Sequence, residues 1–378
     1  MALINKIFGL FKRELMLSLA LFAAVAALII NPPGPEIVSS IDWHTLGTLF
    51  MMLTVLEGFK KENVLSPLVR LTTRFKSVRS LSLFLVFCVF FTSMFVTNDV
   101  SLIIFVPLTI SQFRMAGKEK YILPVISLEN IAAVRGSLLM PFGSPQNLFL
   151  FGRFNVSALT FMLHMAPLCL MSGILLVIFI FVLTAKEKET LVFVSGNQAS
   201  GGSKRWFYVA LFCLVLWVIV SRTTLWMYAV AVVFLAVILF DPAVIRRTDY
   251  VLLATFLCFF VFSSSISSHP AVAGFLSKLV AGNEYWVSIG ISQIISNVPA
   301  AIVLYPFTVN NAGLIYGLDT AGLVSLIGSL ASVINYRIYV REYPGRGKQF
   351  IKTFTLVSWA FFVIVVVPGY LLSSWPFI

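Results

Sequence analysis

The chain has 378 residues, 59% of them hydrophobic and 11% charged, with a formal net charge of +12 and a mean hydropathy of +0.98. A soluble domain carries about 25% charged residues, so this composition excludes one and predicts an all-α integral membrane protein embedded in a lipid bilayer. The positive charge does not indicate nucleic acid, because the basic residues lie in short loops between apolar runs, where they report orientation in the membrane.

The apolar runs predict helices, because backbone groups in lipid must be satisfied within their own segment. No ten-residue alternation of the membrane-barrel kind is present. The first helix covers 14–30; it is too long for a signal-peptide core and no small-residue cleavage pattern follows it. A second covers 43–58. Residues 63–79, "NVLSPLVRLTTRFKSVR", mix apolar and basic positions and are expected to lie along the inner interface. Segments 81–110, 121–151 and 159–184 follow, then the polar linker "NQASGGSKR" (197–205). A connector at 206–221 leads to helices 225–240 and 250–268, and segments 285–307, 315–338 and 352–373 complete the chain. The four cysteines (Cys88, Cys169, Cys213, Cys258) read as inert buried thiols. His44, His164 and His269 form no ligand motif.

Segments 1–13, 58–80, 111–121, 185–206, 242–249 and 337–352 hold 23 of the 27 Lys and Arg residues. They are therefore assigned to the cytoplasm, which puts the N-terminus inside and the C-terminus outside a plasma (inner) membrane. Both flanks of 81–110 are then cytoplasmic, so this segment enters and leaves on one side. Two arms of about fifteen residues at 1.5 Å each reach roughly 22 Å into the bilayer. The turn falls at Thr97–Asn98–Asp99. Non-helical backbone at that depth survives only where protein buries it or a cavity solvates it, which predicts a re-entrant hairpin.

The pattern recurs. "SMFVTNDVSLIIFVPLT" (93–109) aligns with "SQIISNVPAAIVLYPFT" (292–308) at a constant offset of 199 residues. Ser93 matches Ser292, Thr97 matches Ser296, Asn98 matches Asn297, Pro107 matches Pro306 and Thr109 matches Thr308. After each copy comes a Gly/Ser-rich interruption, "MPFGSPQN" (140–147) and "SLIGSLAS" (325–332), pairing Gly143–Ser144 with Gly328–Ser329 and Asn147 with Ser332. Small polar residues inside a span indicate a broken helix. The single connector at 206–221 inverts the second half. This predicts an inverted-topology repeat with two re-entrant hairpins and two broken helices, the organisation of secondary transporters. The chain divides into scaffold helices (1–80), a first transport half (81–184), a connecting and scaffold region (185–268) and a second transport half (269–378).

A hairpin tip presents carbonyls from one arm and amides from the next. Neutral oxygens suit a hard cation such as Na⁺, and helix N-termini suit an anion. One cation pocket is assigned to Ser93, Thr97, Asn98 and Gly143, a second to Ser292, Ser296, Asn297, Gly328 and Ser332. A small anionic substrate is assigned to Thr97, Asn98, Asp99, Ser144, Asn147, Ser296, Asn297, Ser329 and Arg135. Asp99 has no acidic counterpart, since Val298 stands in the second copy, and its role as helix cap, cation ligand or proton carrier is open. Glu129 is expected to pair with Arg135, and Asp319 to sit solvated at the outer edge. An enzyme is not indicated: no second deep aspartate faces Asp99, and no base accompanies Ser144.

These motifs resemble those of the ion transporter superfamily, which includes divalent anion/sodium symporters, citrate transporters and arsenite permeases. Its Ser-Asn-Thr-type tips look like "TND" (97–99) and "SNV" (296–298), and its broken-helix pattern resembles "MPFGSPQN" and "LIGSLAS". The resemblance covers about 40–373. It implies a homodimer with a fixed scaffold and a transport domain that moves like an elevator, carrying a citrate- or dicarboxylate-like anion with Na⁺ or H⁺ and no other cofactor. Dicarboxylate carriers have a small hydroxyl residue after each tip asparagine, whereas this chain has Asp99 and Val298. The "TND" form is closer to the arsenite-permease and citrate-permease branch, so an arsenite/antimonite efflux permease or a Na⁺/H⁺ antiporter is the alternative.

Overall fold

Each long apolar run closes its backbone hydrogen bonds internally as a helix. The computed structural model describes residues 15–31, 37–187 and 202–375. Its helices are α1 (Leu15–Ile30), α2 (Ile37–Ser40), α3 (Trp43–Lys61), α4 (Ser66–Leu71), α5 (Val78–Val96), α6 (Asn98–Met115), α7 (Ile122–Gly136), α8 (Pro145–Arg153), α9 (Ala158–Leu183) and α10 (Arg205–Ser221). There follow α11 (Trp226–Phe240), α12 (Pro242–Arg247), α13 (Tyr250–Ser268), α14 (Pro270–Val280), α15 (Glu284–Ile295), α16 (Asn297–Leu304), α17 (Asn311–Ala321), α18 (Leu330–Glu342) and α19 (Gly347–Ser373). Among the described residues, α5, α9, α13 and α19 are each long and apolar enough to cross a membrane. Large apolar side chains such as Leu163, Leu170, Leu239 and Leu356 stand exposed on α9, α11 and α19, as a lipid-facing surface requires.

Contacts between helix ends sort those ends onto two faces. On one face Lys61 pairs with Asp241 (2.5 Å), the Lys204 amide donates to Glu62 (2.9 Å) and Arg114 pairs with Glu342 (3.3 Å). There too Arg79 Nε donates to Thr184 (3.1 Å) and Lys118 pairs with Glu187 (2.8 Å). The start of α5 and the end of α6 therefore both meet the end of α9. The segment 78–115 enters and leaves on one face, as the charge pattern predicted. On the opposite face Asn31 Nδ2 donates to the Ser265 carbonyl (2.8 Å), Arg153 pairs with Asp42 (2.9 Å) and Asn310 Nδ2 donates to the Ser373 carbonyl (2.9 Å). The Glu284 carboxylate, at the start of α15, accepts from the Val309 and Asn310 amides (3.1 Å each). The second hairpin thus opens on this opposite face. The fold is an inverted-topology repeat with two re-entrant hairpins, α5–α6 and α15–α16, and two broken helices, α7–α8 and α17–α18.

The structure corrects several expectations. The first hairpin spans 78–115 rather than 81–110, because Ser77 caps α5, accepting from the Ser80 amide at 3.1 Å, and helix continues through the basic ends. Its arms are about 28 Å long. The matched prolines differ in effect: Pro107 lies within α6, whereas Pro306 sits in a 3-10 turn, Tyr305–Phe307, that ends the second arm. The segment 63–79 forms only the short α4 and a 3-10 turn, Thr72–Arg74, because Pro67 and the Thr72–Thr73 pair favour a brief helix. Cys213 is exposed on its helix rather than buried, while all four cysteines are free. The helix α14, short and amphipathic, lies between the predicted segments 250–268 and 285–307. The basic segment 1–13 lies outside the described residues, as does most of the linker 197–205.

The face assignment is checked by single-cysteine labelling of membrane vesicles with an impermeant thiol reagent. Cysteines at Lys61 and Lys120 should react from one face, and a cysteine at the exposed Val309 from the other. Labelling of positions 61 and 120 from opposite faces would turn 78–115 into a single crossing and remove the inversion.

Candidate functional site

Each hairpin turns on one residue, and the two turns match. Thr97 has φ 69° and ψ 156°, and Ser296 has φ 70° and ψ 158°. This region is nearly reserved for glycine and costs on the order of 1–3 kcal/mol for other residues. The strain puts a carbonyl at the head of the next helix. The Thr97 carbonyl accepts from the Ser101 amide (3.2 Å) and hydroxyl (2.9 Å), and the Ser296 carbonyl accepts from the Ala300 amide (3.1 Å). Asn98 Oδ1 accepts from the Asp99 amide (2.9 Å), while the Asn297 amide donates to the Gly328 carbonyl (3.3 Å). The second tip is tied to the second break.

The two breaks, 137–144 and 322–329, are equal in length and fold alike. Ser144 (φ −147°, ψ 156°) caps α8 with Pro145 in its first turn, and Ser329 (φ −148°, ψ 137°) precedes α18. A Cβ on Gly143 would collide with the Ser137 carbonyl, and one on Gly328 with the Ala321 carbonyl. Each loop folds back against the end of its own half-helix, which only glycine permits at that approach. The breaks also interlock. Asn130 Nδ2 donates to Ser332 (3.0 Å) and Asn335 Nδ2 to the Ile126 carbonyl (2.7 Å), joining α7 to α18. Gln146 Nε2 donates to Asp319 (3.1 Å), joining α8 to α17.

A cavity of about 450 Å³ lies between these elements and the scaffold helices α3 and α13. Thr97, Asp99, Ser144 and Leu330 form its inner wall; Met52, Leu56, Lys60 and Asp249 face them. It runs from the first tip to the face carrying Lys60 and Arg247. Three helix N-termini, those of α6, α8 and α18, therefore open onto one space. Asp99 Oδ1 is buried with no hydrogen-bond partner, and the charged groups that act on it are Asp249 and Lys60.

The predicted site residues divide into groups. Thr97, Asp99 and Ser144 share the cavity wall. Asn98, Ser296, Asn297 and Ser329 are buried at the tips and the second break. Ser93 and Ser292 turn their hydroxyls onto their own helices, donating to the Phe90 (2.9 Å) and Ser288 (2.6 Å) carbonyls. Asn147 Nδ2 donates to the Ser137 carbonyl (3.2 Å), and its Oδ1 is buried without a partner, as are Ser296 Oγ, Asn130 Oδ1 and Asn335 Oδ1. Such unengaged oxygens around both breaks fit a hard cation. Arg135 is not on the cavity wall: Nε donates to Ser172 (3.0 Å) and Nη1 to the Asp319 carbonyl (3.3 Å).

Two buried acids stand elsewhere than predicted. Glu129 is bonded by Thr109 rather than by Arg135; six residues apart on α7, the two point to different sides of the helix. Asp319 is buried, 2% exposed, not solvated at an edge, because α17 breaks two residues later and holds it at depth beside Gln146. Asn130, Gln146 and Asn335, absent from the predicted site, join the breaks together; their polarity within apolar runs is the sequence signal that marks them.

A family model described as "Citrate transporter" matches residues 6–328. The chain belongs to this family. Inner membrane protein YbiR of Escherichia coli is 31% identical over 306 residues, covering 79% of this chain and 81% of the relative. An uncharacterized transporter of Methanocaldococcus jannaschii is 31% identical over 314 residues, covering 82% and 84%. The crystal structure of the Alcanivorax borkumensis YdaH transporter, described as revealing an unusual topology, has a TM-score of 0.59 at 15% identity over 96% of this chain and 98% of that one, a likeness of fold alone. This citrate-transporter-family chain is a multi-pass membrane transporter.

The strained tips give a direct test. Thr97→Gly and Ser296→Gly should each raise the thermal midpoint of detergent-purified protein, since relief of 1–3 kcal/mol of strain exceeds the roughly 0.5–1 kcal/mol entropic cost of glycine. A lowered midpoint in both would mean that side-chain contacts, not backbone strain, dominate at the tips.

Proposed function

We propose that this chain is a secondary active transporter for a small anion of citrate or dicarboxylate type, driven by Na⁺ or H⁺ bound at Asp99. One observation carries the reading: the N-termini of α6, α8 and α18 open onto one cavity beside a single unpartnered carboxylate. Helix N-termini attract negative charge, so the cavity suits an anion. Ionised Asp99 repels that anion until a cation neutralises it, which makes cation binding a condition of substrate binding. Interlocked hairpins and breaks on one side, and α3 and α13 on the other, support an elevator in which the first body slides along the second. Their facing side chains, Leu49, Met52 and Leu53 against Val100, Ile103 and Leu148, are apolar enough to slide, and the ion pair that sliding breaks is Arg153–Asp42 at the far end of α8. The basic face is cytoplasmic by the charge bias, so the cavity faces inward, and a homodimer would anchor the scaffold.

Thermal-shift measurements with citrate, succinate, arsenite, sulfate and phosphate, each with and without Na⁺ and across pH 5–8, test the reading. A ligand at 100 times its Kd adds roughly 2.7 kcal/mol of stability. Citrate or succinate should stabilise the protein, with a dependence on Na⁺ or pH that Asp99→Asn removes. Stabilisation by arsenite alone would replace this reading with an arsenite permease. In proteoliposomes, Asn98→Ala and Asn297→Ala should each reduce citrate uptake at least tenfold, a loss of about 1.4 kcal/mol; near-normal uptake by both would remove the tips from the site.

A further inference from the structure

A second cavity, of about 220 Å³, lies at the opposite end of α3 and α8 and is lined by His44, Leu148, Phe151, Gly152, Ile219 and Arg222. Leu148 lines this cavity and the larger one, so the two spaces stand back to back on either side of it. The charged and titratable groups acting here are Asp42, Arg153, Arg222 and His44. Asp42 is spoken for: it accepts from the Thr45 amide and hydroxyl (2.9 Å each) and pairs with Arg153 (2.9 Å). Arg222 is not neutralised. Among the described residues no carboxylate makes an ion pair with it; one Nη2 bond goes to the Phe151 carbonyl, the guanidinium lies 4.1 Å from the Phe151 ring centroid, and Nε is buried with no partner. Its backbone is left-handed, φ 50° and ψ 36°, a conformation uncommon outside glycine and asparagine. The chain holds a cation at this wall in a conformation that has to be stabilised by its contacts.

A structural role accounts for part of this, since Nη2 caps the C-terminal turn of α8, where a cation is favourable. It does not account for the vacant Nε, nor for a concave space beside it rather than packed side chains. The position along α8 is also specific. Ser144, on the inner cavity, and Gly152, on this one, are eight residues apart, about 12 Å of helix. His44 and Arg222 belong to the scaffold, α3 and the end of α10, whereas Gly152 belongs to the body that carries the tips. A displacement of that body by about 12 Å along α3 would bring Ser144 and its neighbours level with Arg222.

We propose that Arg222, with His44 beside it, forms a scaffold-borne anion-collecting site at the face opposite the inner cavity, where a small carboxylate is held before the tips receive it. The carboxylate oxygen takes the Nε–H and displaces the Phe151 carbonyl from the guanidinium, so that capture of the anion loosens the contact between scaffold and α8. This rests on the small-anion reading above, and it adds a second station that the scaffold keeps fixed.

The test uses Gly152→Cys, because a Cβ there meets only Thr45 Oγ1 at 3.6 Å and His44 Nδ1 at 4.0 Å, with Cys213 and Cys258 replaced by serine. Labelling rates with an anionic (sulfonatoethyl) and a cationic (trimethylammonioethyl) methanethiosulfonate are measured from each face, each normalised to its rate with 2-mercaptoethanol. The expected result is reaction from the face opposite Lys61, an anion-to-cation ratio of about ten, and a fall toward one in the Arg222→Gln variant. Millimolar citrate should slow labelling several-fold when Arg222 is present and not in Arg222→Gln. A ratio near one in the starting protein, a ratio unmoved by Arg222→Gln, or citrate protection that survives that change overturns the proposal. Should Gly152→Cys fail to fold, the exposed Thr224→Cys reports the same potential. The charge ratio needs no transport, so this site and the citrate reading can fail separately.

Discussion

Everything in this structure follows from what becomes of a backbone amide or carbonyl at a depth where no water competes for it. A continuous helix solves the problem within itself; a chain that turns back or breaks inside the membrane must solve it residue by residue. Here the solutions are visible. Thr97 and Ser296 accept positive φ so that their carbonyls can serve the helix that follows. Ser144 caps α8, the Ser137 carbonyl accepts from Asn147, and the Gly328 carbonyl accepts from the Asn297 amide. The hairpins and breaks are therefore not independent features. Each supplies partners for the next, and the two inverted halves interlock because the unpaired groups of one lie within reach of the other.

The same constraint explains which polar groups were left incomplete. Glu129 has Thr109, and Arg135 has Ser172 and the Asp319 carbonyl, so these buried charges are tied into packing among the hairpins and breaks. A buried charge stripped of its partner costs several kcal/mol, which makes such groups unsuited to a site that must empty on each cycle. Asp99 differs in lining the cavity with its Oδ1 unpartnered, and the free oxygens of Asn130, Asn147, Ser296 and Asn335 differ in being uncharged. Rigid positioning with unfilled coordination is what a reversible ion site requires.

Much of this was legible in the amino-acid order. Long apolar runs and the placement of basic residues were enough for the helices, both faces and the inversion, because hydropathy and loop charge act locally and along the chain. The tips and breaks were legible because "TND" and "SNV", and "FGS" and "IGS", recur in register. What was not legible depends on side-chain direction and on depth. Asp319 looked peripheral because its run was read as starting near an edge; Glu129 and Arg135 looked like a pair because they are close in sequence, yet helical geometry turns them apart. The cavity beside Arg222 joins residues from α3, α8 and α10, and no local pattern links positions 44, 152 and 222.

The absence of a second acid, with Val298 standing where the repeat would place a partner for Asp99, has an electrical consequence. In a carrier whose first tip crosses the membrane field, a loaded and an empty tip differ by one charge. An ionised, empty Asp99 moving outward is assisted by an inside-negative potential, by up to about 2.3 kcal/mol per 100 mV if it traverses the whole field. A symmetrical pair of acids would double that dependence, and a pair of hydroxyl residues would abolish it. If Asp99 holds the coupling cation as proposed, one carboxylate on one tip makes the empty return stroke voltage-sensitive, in addition to the charge that the anion itself carries on the loaded stroke.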